Sequence, residues 1–143
     1  MQNRTLFEPV LIKEIPFEQA ETQFSEDEYN NASIQFLVIF QYRDGSDVVG
    51  AHSVLRFLTP DQKVMVSGGV TVIASIQDWH KVNKEEQSIK SAESVLELLS
   101  YSHAVMTGVF YKQSANTQFQ QAIIPYLNQS ELADITRIEK VTQ

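Results

Sequence analysis

A chain of 143 residues with no cysteine and a formal net charge of −7 excludes several classes at once. It is long enough to bury about two thirds of its unfolded surface around one core, without disulfides or metal, and it offers no thiol for redox chemistry or secretory bridges. Its acidity argues against nucleic acid, whose phosphates require a basic surface. No apolar run approaches the ~20 residues that span a bilayer, so the sequence predicts one cytoplasmic domain over residues 1–143 with no membrane insertion.

Leu6 to Glu18 alternates loosely and carries Pro9 and Pro16, which lack backbone donors; it predicts a strand at a sheet edge. Glu21 to Asn31 is polar and acidic and reads as a solvated loop or as a dock for a basic partner. Ser33 to Arg43 is a cleaner strand, with Ile34, Phe36, Val38, Phe40 and Tyr42 on one face. The Asp44-Gly45 pair supplies the positive φ of a hairpin turn, and Val48 to Leu58 returns as the next strand. Thr59 to Lys63 is a second turn, and Val64 to Asp78 a long fourth strand whose Gly68-Gly69 pair predicts a bulge or a close backbone approach. Short turns between successive strands give an antiparallel sheet.

Trp79 to Ile89 reads as a connection or a frayed helical turn. A long helix is then expected from a cap at Ser88 or Ser91, with Val95, Leu98, Leu99, Val105, Met106, Val109 and Phe110 at helical spacing. Lys112 to Gln118 breaks it, Phe119 to Leu127 crosses over in extended form, and Ser130 caps a short last helix carrying Leu132, Ile135 and Ile138. The expected fold is α+β: a four-stranded antiparallel sheet, a long helix, an extended crossover and a short C-terminal helix.

Two patterns suggest contacts. Ser100, Ala104 and Gly108 are four apart and stack in one row of the long helix. Such a row either packs tightly on the home sheet or lets a helix of another subunit approach, and Gly108 costs about 1 kcal/mol against alanine inside a helix. In the crossover, Phe119, Ile123, Ile124 and Tyr126 lie among Gln118, Gln120 and Gln121. They are expected to line a binding groove rather than fill the core, the alternative being that Ile123 and Ile124 seal the sheet edge. For catalysis there is little: His52, His80 and His103 share no metal-ligand spacing, and no nucleophile elbow, Walker loop or dinucleotide fingerprint occurs. No enzyme activity and no cofactor is expected.

Three local matches resemble the SecB-like chaperone family. Lys13-Glu14-Ile15-Pro16-Phe17-Glu18 is similar to the run that closes the family's first strand. Val66-Ser67-Gly68-Gly69-Val70 is similar to its double-glycine strand. Leu99-Ser100-Tyr101, through to Ile124-Pro125-Tyr126-Leu127-Asn128, is similar to its helix, crossover and last-helix approach. The resemblance implies a homotetramer built as a dimer of dimers, or a homodimer, with long helices packed between sheets. It also implies an ATP-independent holdase whose clients are unfolded polypeptides, handed in proteobacteria to the SecA motor. Glu14 and Glu18 match by position two acids that take part in that handover. The family's further SecA-contacting Leu-x-Glu has no counterpart; Gln62-Lys63-Val64 stands there. The fold also occurs in toxin–antitoxin-linked chaperones, so a dedicated single-partner protein is the alternative.

Overall fold

A computed structural model describes residues 6–142. The elements run β1 (Phe7–Gln19), α1 (Glu26–Asn30), β2 (Ser33–Tyr42), β3 (Val48–Leu58), β4 (Val64–Ile76), a 3-10 turn (Trp79–Lys81), α2 (Glu86–Ser91), α3 (Glu93–Gln113), α4 (Gln129–Ile135) and β5 (Thr136–Lys140). The sheet order is β1-β4-β3-β2-β5. Every neighbouring pair is antiparallel except β2 and β5, which run parallel. The architecture is α+β with a mixed five-stranded sheet, which corrects the expected four-stranded antiparallel one.

The two hairpin turns form as their residues dictate. Gly45 takes φ +74° between β2 and β3. Between β3 and β4, the Thr59 hydroxyl accepts from the Lys63 amide at 3.0 Å and donates to Asp61 at 2.6 Å. At the double glycine the close approach is the reason: a Cβ on Gly69 would lie 2.2 Å from the Ser53 carbonyl oxygen on β3. The register shift opposite Gly68 lies on β1, between Ile15 and Glu18.

Three helix boundaries differ from the sequence expectation. Ser91 does not cap α3; its hydroxyl donates backwards to the carbonyls of Gln87 and Ser88, so the chain breaks at extended Ala92 and α3 starts at Glu93. Ser130 does not cap α4; Asn128 does, in a reciprocal capping box with Glu131. Ile138 is not helical. Thr136 donates its hydroxyl to the Leu132 carbonyl, the helix ends, and residues Thr136–Lys140 pair with Val38–Tyr42 along an edge of β2 that would otherwise stay open.

α3 lies across β3 and β4. Val95, Leu98, Leu99, Met106 and Phe110 bury against Ala51, Leu55, Val70 and Val72, and each such side chain stabilises the fold by about 1.5–3 kcal/mol. Trp79 closes the far end against Phe40 and Tyr42, at ring distances of 5.5 and 5.8 Å.

Candidate functional site

The end of the sheet where the β1–β2 connection, the end of β3 and the end of α3 meet is built of aromatic rings. Phe24, Tyr29, Phe119, Phe57, Phe110 and Phe17 form one chain of neighbouring rings, with centroid distances of 6.1, 5.7, 4.9, 5.7 and 5.9 Å. α1 places Tyr29 there through its own capping box, Ser25 with Glu28. A cleft of about 290 Å³ opens at the surface end of this chain, with Tyr29, Phe57 and Phe119 in its wall and the polar Asn30, Gln118 and Gln121 at its rim. Apolar walls with a few polar rim groups suit an apolar side chain carried on a polar backbone.

The crossover leaves α3 in turns as far as Gln121 and then runs without regular structure over residues 122–128. It splits the four residues expected to line a groove. Ile123 is 85 % exposed and Tyr126 72 %; Phe119 is 5 % and Ile124 8 %. Phe119 and Ile124 are core residues, which corrects the expectation that all four stand outside it. Phe119 is drawn in by Phe57, and Ile124 is fixed by its amide, which donates to the Tyr111 hydroxyl at 3.2 Å.

The row on α3 also resolves. Ala104 and Gly108 are exposed, and a Cβ built on Gly108 meets nothing within 4 Å. The row therefore does not pack on the home sheet. Ser100 is half-buried and shares with Tyr126 a groove of about 910 Å³ between α2, α3 and α4. From Leu98 to Tyr111, α3 carries no Asp, Glu, Lys or Arg, so its outward face is uncharged as well as uncovered.

Glu14 and Glu18 are not brought together. Glu14 pairs with Val70 in the register and Glu18 with Ser67, so the register shift between them puts the two acids on opposite faces of the sheet. Glu14 is engaged: Lys112 Nζ lies 2.6 Å from its carboxylate and Gln113 donates to it at 3.3 Å. The Lys112 hydrogen bond holds its carboxyl below the ordinary range. β1 is otherwise an open edge, with Val10, Leu11 and Ile12 all exposed.

On the face of the sheet away from α3, His52 Nε2 meets the Gln41 side-chain oxygen at 2.7 Å and Nδ1 meets the Thr71 hydroxyl at 2.8 Å. Gln41 in turn donates to Glu139 at 3.3 Å. Burial lowers the affinity of His52 for a proton, with Glu139 acting the other way. This chain of groups ties β5 to the sheet. Among the described residues no group of three or more His, Cys, Asp or Glu is placed to hold a metal ion, and no helix is long and apolar enough to cross a membrane.

Sequence reasoning missed Phe24, Tyr29 and Phe57 as members of the site. The signal available was the Ser25-Glu26-Asp27-Glu28 capping pattern flanked by two aromatic residues in an otherwise acidic stretch. No protein-family model matches the chain, and no curated protein matches its sequence.

Proposed function

We propose that this chain is a SecB-like, ATP-independent holdase that takes up apolar side chains of unfolded polypeptide and works as a homo-oligomer. The cleft bounded by half-buried Tyr29 and by the edges of the core rings Phe57 and Phe119 carries the reading. Ile123 and Tyr126 are exposed on the same crossover that supplies Phe119 to the cleft, Tyr126 beside the separate groove between α2, α3 and α4. Aromatic walls give large, rigid contact area at little entropic cost and no sequence preference. Three client side chains buried at about 1.5–3 kcal/mol each supply roughly 4.5–9 kcal/mol before the cost of association and ordering, so micromolar affinity, near −8 kcal/mol, requires contacts spread over more of the client than the cleft takes. That strength holds a client and still releases it.

Two uncovered surfaces support an oligomer. One is the uncharged outward face of α3 with Ala104 and Gly108. The other is the open β1 edge with Val10, Leu11 and Ile12. Two separate two-fold contacts of this kind build a dimer of dimers. A handover to SecA through Glu14 and Glu18 acting together does not enter the proposal, because they lie on opposite sheet faces.

The test is light scattering of an aggregating client with and without the protein. Suppression at stoichiometric amounts supports the holdase; no suppression removes it. Capture of one dominant folded partner in place of many unfolded chains transfers the reading to a dedicated single-partner chaperone.

A further inference from the structure

Ile123 to Leu127 has no backbone-to-backbone hydrogen bond among the described residues. The segment is tied to α3 by two side-chain acceptors. The Tyr111 hydroxyl takes the Ile124 amide, and His103 Nε2 takes the Leu127 amide, each at 3.2 Å. A backbone N–H only donates. His103 must therefore present a lone pair at Nε2 and carry its proton on Nδ1. A protonated imidazole has no acceptor and loses this bond outright.

What surrounds the ring makes the two states distinct. His103 is 2 % exposed. Phe36 of β2 lies against it at 5.4 Å and Tyr126 of the crossover at 5.8 Å. Tyr126 is the titratable neighbour, and among the described residues no carboxylate or ammonium group acts on the ring. On its own helix, Thr107 donates only to the His103 backbone carbonyl. Burial opposes the charged form, and the one group that favours it is the backbone of Pro125, two residues before Leu127 on the same segment.

We infer that His103 is a proton-sensitive pin of the crossover: the neutral ring holds the Leu127 amide, and the protonated ring, which has no acceptor, releases it. Loss of this bond frees Leu127 from α3, and with it Tyr126, its chain neighbour, whose ring lies 5.8 Å from the imidazole. The affected surface is the one that carries Ile123 and Tyr126, so acidification remodels an exposed apolar patch without unfolding the sheet. The inference stands on the hydrogen bond alone and does not depend on what the patch binds.

The experiment is nuclear magnetic resonance of the full chain from pH 7.5 to 4.5, following the His103 ring and the exchange protection of the Leu127 amide, corrected for the intrinsic pH dependence of exchange. The expected result is a fall in Leu127 protection of about tenfold, the worth of one ordinary hydrogen bond, with the midpoint of the ring's own titration. In His103→Gln the side-chain oxygen remains an acceptor at every pH, and the fall should vanish. Coincidence of the two midpoints in the unaltered chain, with His52→Gln leaving it in place, supports the pin even where His103→Gln folds poorly. A ring that stays neutral to pH 4.5, protection that survives its protonation, or the same fall in folded His103→Gln each overturns it.

Discussion

The two faces of α3 differ in what covers them, although neither carries charge between Leu98 and Tyr111. Val95, Leu98, Leu99, Met106 and Phe110 face the sheet and are fully buried. Ala104 and Gly108 face outward, and a Cβ on Gly108 would meet nothing within 4 Å. A helix on a protein surface ordinarily turns charge towards water. This one keeps charge only near its ends, at Glu93, Glu97 and Lys112. The comparison shows why periodicity alone could not decide the role of the row: the spacing of Ser100, Ala104 and Gly108 is the same whichever surface lies opposite.

The largest expected effects break the inner face. Phe110→Ala removes a ring packed on Phe57 and Phe17 and should cost about 3–5 kcal/mol in urea unfolding. In the crossover, Phe119→Ser should also cost several kcal/mol, by about the same core mechanism, whereas Tyr126→Ser at an exposed position should stay within about 0.5 kcal/mol. Equal losses for the two would contradict the split between buried and exposed crossover residues.

Acid sharpens the same contrast. His52 and His103 are both held below the ordinary 6.5 by burial, so the unfolded chain takes up their protons first. Their contribution is complete above pH 6.5 and is lost as pH falls below it, through the lower folded values. Glu14, Asp61 and Glu139, each lowered by hydrogen bonds, add a further loss in the acid range below their ordinary 4.5, 3.8 and 4.5. The unfolding midpoint should fall from pH 7.5 to 5.5, and fall less in His103→Gln; a higher midpoint at pH 5.5 would falsify the assignment of both rings. The smallest effect concerns the outer face. Gly108→Ala should stabilise the isolated chain by about 0.5–1 kcal/mol, because the helix loses a glycine and the new methyl meets open space.

Most of the sheet was legible because its strands alternate cleanly and its turns carry Asp44-Gly45 and Thr59-Pro60, chemistry that acts within a few residues. β5 was not, because Leu132, Ile135 and Ile138 fit a helical period, and what overrides it is the edge of β2, almost a hundred residues away in sequence. The start of α3 was misplaced for a local reason: Ser91 has the right residue type for a cap but bonds to the helix behind it. The site was half legible. The exposure of Ile123 and Tyr126 followed from their setting in an extended polar segment. Phe119 shares that setting, and only Phe57 and Tyr29, from β3 and α1, draw it inward.

Whether the uncovered face of α3 seats another copy of the chain, as proposed for the holdase, is tested most directly by the native mass of the unaltered protein and of Gly108→Leu. The account predicts a multiple of 16.3 kDa for the unaltered protein, and a smaller mass with intact circular dichroism for the variant. A 16.3 kDa monomer, or an unchanged mass in a folded variant, would contradict it.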